Sequence, residues 1–462
     1  MIDILIVHPG KIRHGYITEH LGIASLKSFV QSRGLSADTL DLAVEGLSIR
    51  DGMERILSIQ PTVLGVSLLN DTKFKGLELI RRLRQDGYSG VIVAGGYFAS
   101  FAAQDLLRDI PEIDYIVRGE GEVTLVELLK KIIGQSRQPV KEIRGLSFRE
   151  GGIIIHNPAR PLITDLDILP AVDRKYSAMV LQRGSHLRIF ASRGCWGRCN
   201  FCDIIGMYGQ SPGKVWRYRS VKRVVDEIEQ LVLNFKTNYF AFNDDQFLLP
   251  GNKGLARAEE FASELERRNL QIQFELMCRA DTIYPPTMRR LRSVGLQRVF
   301  LGLESFDEKQ LQRFKKRISV RQNLKAVITL YHLKIDVIAS VILADAFTTL
   351  GDVVRQFIML FELKRRYFNS RQCQISVNEK IEIYPGSFIY QEYKKLGLLT
   401  RDHYLLGYDY RLRFFTAIRL KLFQFEARLS RIILRPVATL RDVVRAIRWR
   451  AGQLIHYLEY QR

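Results

Sequence analysis

The run Ser192-Arg193-Gly194-Cys195-Trp196-Gly197-Arg198-Cys199-Asn200-Phe201-Cys202 places three thiols within eight residues, at a three-then-two spacing. Thiolates are soft ligands that hold iron–sulfur clusters, and a cubane with three protein ligands leaves one iron open to something that is not protein. A structural zinc site instead wants four closed ligands, and this run has no fourth cysteine or histidine. Cys195, Cys199 and Cys202 are therefore read as metal ligands of a 4Fe-4S cluster. The open iron is where chemistry is expected.

Upstream, residues 188–192 read as a short strand that delivers the loop at its carboxyl end, where α/β barrels place their chemistry. Downstream, 221–234 is an amphipathic helix with Val224, Val225, Ile228, Leu231 and Val232 on one side. Strands follow at 239–242, ending in Asn243-Asp244-Asp245, at 274–279, ending on Arg279, at 298–305, passing Glu304, and at 337–343. From the start to about residue 140, short apolar runs at 2–7, 63–67, 91–94 and 114–117 alternate with helical patterns at 21–32, 74–86, 101–108 and 123–133. That alternation argues for an open parallel α/β sheet, which binds ligands outside the carboxyl ends of its strands. Gly95-Gly96-Tyr97 and Gly119-Glu120-Gly121-Glu122 fall at those ends, where missing side chains let a ligand approach the backbone.

The cysteine spacing, with an aromatic before the last cysteine, resembles that of the radical S-adenosylmethionine (SAM) enzymes. The resemblance implies that the open iron chelates SAM and that one electron cleaves it to a 5′-deoxyadenosyl radical, which abstracts hydrogen from unactivated carbon. The first 140 residues resemble the cobalamin-binding domain of one large branch of that family. The matching pieces are His8-Pro9-Gly10, Leu21-Gly22-Ile23-Ala24-Ser25-Leu26, Val63-Leu64-Gly65-Val66-Ser67, Val93-Ala94-Gly95-Gly96 and Asp114 through Gly119-Glu120-Gly121-Glu122. The alternative is a flavodoxin-like domain that has lost its pocket. None of the eight histidines follows an aspartate at two positions, so the Asp-x-His-x-x-Gly signature of histidine-ligated cobalamin is absent. The lower face of the corrin is expected against Leu68-Leu69-Asn70-Asp71-Thr72, without a histidine on cobalt.

The resemblance further assigns Asp244 and Asp245 to the SAM amino group, where a carboxylate meets an ammonium. One of the two is equally well read as a helix N-cap. Arg279 is assigned to the SAM carboxylate and Glu304 to its ribose or amino-acid part, unless the two form an ion pair inside the barrel. Where the family has a glycine-rich turn this chain has Ala344-Asp345-Ala346-Phe347-Thr348-Thr349, a departure that leaves the adenine contact open. His8, Ser67, Leu69, Asn70, Gly95, Gly96, Gly119, Glu120 and Gly121 are assigned to cobalamin.

The expected architecture is α/β. A Rossmann-like, flavodoxin-like cobalamin domain (1–140) is followed by a connector with a hairpin (141–185), a partial radical SAM (β/α)6 barrel (186–395) and a basic helical segment (396–462). A hydrophobic share of 47% with 26% charged residues fits a globular protein. Cys278 and Cys373 are read as buried thiols, and with so few cysteines the compartment is reducing and cytoplasmic. Met1 to Val7 reads as a strand, not a signal peptide. The longest apolar stretch, 335–347, is broken by Asp336 and Asp345 and is too short to span a bilayer. The net charge of +21 implies anionic partners without choosing among them. From residue 401 onward thirteen Lys or Arg face five Asp or Glu, and Phe415, Ile418, Leu422, Phe425, Leu429 and Ile432 recur at helical spacing. That stripe is expected to pack on the barrel, with peripheral membrane contact as the alternative.

The resemblance implies a cobalamin-dependent radical SAM methyltransferase acting on a specialised metabolite or peptide, with a lipid as second choice. It needs an external flavodoxin- or ferredoxin-type reductant, and nucleic acid is not an expected partner. The nearest rival is a cyclase or rearranging enzyme of the same branch, and a rival of another class is a non-catalytic cobalamin or SAM sensor. Methylthiotransferases bring three further cysteines in their first domain, and residues 1–140 have none.

Overall fold

The computed structural model describes residues 2–10, 17–367, 373–410 and 412. Those up to 410 belong to one compact unit.

Its first part is a seven-stranded sheet of β1 (Ile4–His8), β2 (Ala37–Asp41), β3 (Val63–Ser67), β4 (Val91–Gly95), β5 (Tyr115–Val117), β6 (Leu146–Glu150) and β7 (Ile153–His156). The order is β2-β1-β3-β4-β5-β6-β7. The first five strands are parallel in the flavodoxin-like order, which reverses direction beside β1 and opens a crevice at the carboxyl ends there. β1 and β3 read as near-continuous apolar runs because helices cover both faces of the sheet. The hairpin assigned to the connector is antiparallel to β5, pairing Tyr115 with Phe148, and so belongs to this sheet. Gly151 and Gly152 at its turn have φ of 58° and 80°, as a two-residue turn matched to strand twist requires.

The second part contains β8 (Leu187–Ile189), β9 (Ser192–Arg193), β10 (Arg217–Tyr218), β11 (Tyr239–Phe242), β12 (Gln273–Arg279), β13 (Leu296–Glu304), β14 (Asp336–Ala344) and β15 (Cys373–Lys380). Six of them form a parallel sheet in chain order, β8-β11-β12-β13-β14-β15, while β9 and β10 form a separate antiparallel ribbon. Neighbouring strands joined by helices and wound in one direction are the pattern of a (β/α) barrel, here with six strands and two free edges. Capping boxes at Ser319/Gln322 and Thr349/Asp352 start the helices Val320–His332 and Leu350–Arg366.

The segment expected to be helical from 396 begins otherwise: β16 (Leu399–His403) and β17 (Gly407–Tyr410) form a hairpin. Its Tyr404 joins the first domain's core and lies parallel to Phe98 at 6.4 Å. The apolar stripe from Phe415 to Ile432 lies outside the described residues. Among the described residues no helix is long and apolar enough to cross a membrane.

Candidate cofactor-binding site

A cavity of about 380 Å³ lies between the carboxyl ends of β1, β3, β4 and β5 and the root of the cysteine loop. Ser67, Leu69, Gly95, Gly96, Gly119 and Gly121 line it from the first domain. Phe190, Ser192, Tyr208, Asn243 and Asp245 line it from the second.

The two central glycines do different things. A Cβ on Gly95 would meet only Val117 O at 3.7 Å, so glycine there keeps the cavity wide. Gly96 has φ of 96° and its Cβ would sit 2.8 Å from Leu68 O, so only glycine makes that turn without strain.

Three other first-domain candidates stand differently in the structure. His8 is buried against His20 with ring centroids 4.3 Å apart, and it is His20 that reaches the cavity. Burial pushes the His8 imidazole down to about 2, so it stays neutral. His20 Nδ1 accepts the Ile23 amide at 3.2 Å as a helix cap, so this nitrogen is engaged within the chain. Asn70 is turned away as well, its carbonyl accepting from Lys73 Nζ at 3.1 Å. Glu120 lines the cavity, but its carboxylate is taken up by Arg193, Arg217 and the Ile163 amide.

The cysteine loop leaves β9 through Gly194, whose φ is 76° and whose Cβ would collide with Val215 O. Cys195 Sγ accepts the Gly197 amide at 3.3 Å, and Cys199 Sγ accepts from Arg279 Nη1 at 3.3 Å. Burial pushes the Cys195 thiol up to about 11 and Cys202 higher still. Three thiols on one loop, Cys199 buried and Cys195 and Cys202 partly so, with no imidazole among them, fit an iron–sulfur cluster and leave a structural zinc ion one ligand short. Among the described residues no three His, Cys, Asp or Glu side chains converge on a common metal point.

Of the two aspartates, Asp244 is the structural one. It is fully buried and accepts the Ala191 amide at 3.0 Å and the Ser192 hydroxyl, tying the strand end to the loop. Asp245 faces the cavity and accepts the Gly194 amide at 3.1 Å. Burial, then the Asp244 charge, pushes the Asp245 carboxyl up to about 7. A carboxylate so short of positive charge fits an incoming ammonium.

Arg279 and Glu304 do not pair with each other. Arg279 is bidentate to Asp281 at 3.0 Å, donates to Lys316 O at 2.7 Å and lies over the Trp196 ring at 4.7 Å. Glu304 holds Lys316 Nζ at 2.9 Å from a residue with φ of 64°, where the β13–β14 register breaks. Neither lines the described cavity. In the divergent 344–349 turn, Asp345 accepts from the Phe347 amide at 2.8 Å and the Thr348 hydroxyl at 2.9 Å, so a side chain shapes it without glycine. Cys278 and Cys373 are buried free thiols.

Sequence reasoning missed the residues that meet across the two parts: Tyr97 with Tyr208, which are hydrogen-bonded in the cavity, and Arg193 and Arg217 with Glu120 and Glu122. Local pattern carries no signal for such contacts. Two arginines flanking the cysteine loop are the available hint.

The model of the B12 binding domain matches residues 9–129, and that of the radical SAM superfamily matches 189–353. The chain is 29% identical over 315 residues to an uncharacterized methyltransferase of Pyrococcus horikoshii, covering 67% of this chain and 66% of the relative. It is 28% identical over 322 residues to the anaerobic magnesium-protoporphyrin IX monomethyl ester cyclase of Synechocystis, covering 66% and 61%. Likeness to the hopanoid C-3 methylase of Methylococcus capsulatus is 26% over 419 residues, covering 87% and 75%. The first curated relatives are thus matched over about half to two thirds of their own length. Among solved structures, the cobalamin-dependent SAM radical enzyme OxsB, with aqua-cobalamin and SAM bound, has the same fold at a TM-score of 0.78 and 20% identity, covering 92% of this chain and 66% of that one. With both models matched in tandem on a sheet and a barrel that share one cavity, the chain carries a B12 binding domain followed by a radical SAM domain.

Proposed function

We propose that this chain is a cobalamin-dependent radical SAM methyltransferase that methylates an unactivated carbon of a small molecule or peptide. The shared cavity supports this reading, because it sets a glycine-walled strand-end crevice directly against the root of a three-thiol loop. Ser67, Leu69, Gly95, Gly96, Gly119 and Gly121 would hold cobalamin, Cys195, Cys199 and Cys202 the cluster, and Asp245 the SAM ammonium. When bound, these groups supply a one-electron route to a substrate carbon radical and a methyl group for it to take.

The chain's own work is binding, orientation and exclusion of water. Asp245 supplies a carboxyl on the cavity wall that an incoming ammonium would hold ionised, and Asp244 holds that wall by anchoring Ala191 and Ser192. Arg279, clamped by Asp281 and the Lys316 carbonyl, keeps a positive charge against Cys199, where a cluster's net negative charge would sit. The aromatic pair Tyr97 and Tyr208 closes the cavity between the two parts. An external flavodoxin- or ferredoxin-type protein would deliver the electron, in the reducing cytoplasm that free cysteines suit.

The likeness to a cyclase favours a second reading, oxidation or ring closure without methyl transfer. Cells with and without the protein, grown on methionine carrying a labelled methyl group, separate the two by mass spectrometry of their extracts. A compound that gains a labelled methyl only when the protein is present is the expected result. A protein-dependent compound without that label would overturn methyl transfer in favour of the second reading. The hopanoid methylase likeness makes polycyclic lipids the first extracts to examine, before peptides and specialised metabolites.

A further inference from the structure

Glu120 and Glu122 lie in the first domain, yet both carboxylates are spent on the barrel. Arg193 donates to Glu120 at 3.2 Å and to Glu122 at 2.6 Å, and Arg217 donates to both oxygens of Glu120 at 2.9 and 3.0 Å. Glu120 also accepts the Ile163 amide at 2.8 Å, and Arg217 donates to the Ile163 carbonyl at 2.9 Å. The four side chains are between 2% and 14% exposed.

The position of the arginines gives this quartet its meaning. Arg193 and Arg217 stand directly opposite each other on the β9–β10 ribbon, which is only two residue pairs long. Like charges at paired positions repel, and two buried guanidiniums without counter-charge are costly. Nothing in so short a ribbon can offset that. Arg193 is also two residues before Cys195, so the ribbon is the root of the cysteine loop. Among the described residues the barrel offers the pair aromatic rings, Phe190 at 5.4 Å from Arg193 and Tyr208 at 5.1 Å from Arg217. Both of its carboxylates come from the first domain.

We infer that Glu120 and Glu122 are positioning residues for the cysteine loop. By neutralising Arg193 and Arg217 they make the loop's capacity to hold a cluster depend on the docked first domain. The inference rests on the cluster reading above. It also gives the Gly119-Glu120-Gly121-Glu122 turn two jobs: its glycines shape the cavity, and its acids brace the opposite wall.

The test uses the full chain, reconstituted anaerobically with iron and sulfide, and reads iron per chain and the visible absorbance of the cluster. Changing Glu120→Gln and Glu122→Gln together should cut iron loading at least ~3-fold with all cysteines intact, since it leaves two buried charges unpaired. Adding Arg193→Gln and Arg217→Gln should restore loading, because charge balance returns, and Glu122→Asp, which keeps the charge, should load like the parent chain. Unchanged iron in the double glutamine variant overturns the inference, and so does a loss that removing the arginines does not recover. If the double variant does not fold by circular dichroism, Glu122→Gln with and without Arg193→Gln carries the same comparison. Failure of the unaltered chain to take up iron would overturn the cluster reading itself, a result that no variant is needed to see.

Discussion

On the first-domain side the cavity wall is backbone: Gly95, Gly96, Gly119 and Gly121 at strand ends, with Ser67 and Leu69 beside them. On the barrel side the site is side chains: three thiols, Asp245, and Arg279 held by Asp281 and Lys316. On the proposed reading one wall recognises by leaving room, the other by presenting charge and soft donors. The first should therefore fail when atoms are added, and the second when atoms are removed.

The sharpest break in that comparison comes from the barrel. Cys199→Ala deletes one of three soft ligands, and iron loading should fall to near zero because the remaining two thiols cannot hold a cubane. Cobalamin uptake by the same protein should persist, since no cysteine lines the first-domain wall. Full iron loading would show that the three-cysteine loop is not the cluster site.

Next come the two glycines, which separate room from backbone freedom. Gly95→Val points its side chain into the cavity, where nothing but Val117 O lies within 4 Å of the Cβ. Cobalamin affinity should fall about tenfold while stability changes by less than about 1 kcal/mol. Gly96→Ala puts a Cβ 2.8 Å from Leu68 O at φ of 96°, so it should destabilise the domain by about 1–3 kcal/mol. Denaturant melts and cobalamin titrations of the two variants should show opposite profiles; matching profiles would mean that the two glycines do one job.

Asp245 tests the barrel wall through pH. Burial and then the Asp244 charge push its carboxyl from the ordinary 3.8 up to about 7 in the fold. The fold therefore holds a proton that the unfolded chain has released. The stability this group contributes is complete below the unfolded value and is lost as pH rises through the folded one. For the cofactor-free protein, Asp245→Asn should remove this group's fall in melting temperature between about pH 4 and 7, flattening its share of a profile to which Asp244 and Asp41 contribute with the same sign and the buried His8 and His20 imidazoles with the opposite one. The same change should weaken SAM binding about tenfold, the cost of a lost charge-assisted contact. Flattening without weakened SAM binding would leave Asp245 as a strained carboxylate with no ligand.

Much of this arrangement was legible from local pattern. Apolar runs such as Ile4–His8 and Val63–Ser67 are strands because both sheet faces are covered, and the helix at 221–234 is in place to within a residue. The cysteine spacing and strand-end glycines are local too. What the sequence hid is what crosses between the parts. Glu120 and Asp244 sit inside the right motifs, but their partners, Arg217 for the one and Ala191 and Ser192 for the other, lie tens of residues away. The β6–β7 hairpin looked like a connector because nothing local says that Tyr115 will pair with Phe148. Phe101 is another case: it enters a gap that Gly386, with φ of 84°, leaves open.

Asn70 provides the smallest effect and the finest cut. It follows Leu69 on the loop after β3 and looks equally suited to the lower face of a corrin, but Leu69 lines the cavity and Asn70 does not. Its carbonyl instead accepts from Lys73, a 4% exposed amine that also lies over the Phe98 ring at 4.9 Å. Burial lowers the Lys73 pKa, so the ammonium depends on the few groups that face it. Asn70→Ala should therefore cost stability, about 1 kcal/mol for a hydrogen bond to a charged and buried donor, while cobalamin affinity moves less than about twofold. Leu69→Asn at the neighbouring position should do the reverse, putting a polar group on the wall with little effect on Lys73. If Asn70→Ala instead weakens cobalamin binding tenfold at unchanged stability, the loop must turn over on binding, and the first-domain wall would be presenting side chains after all.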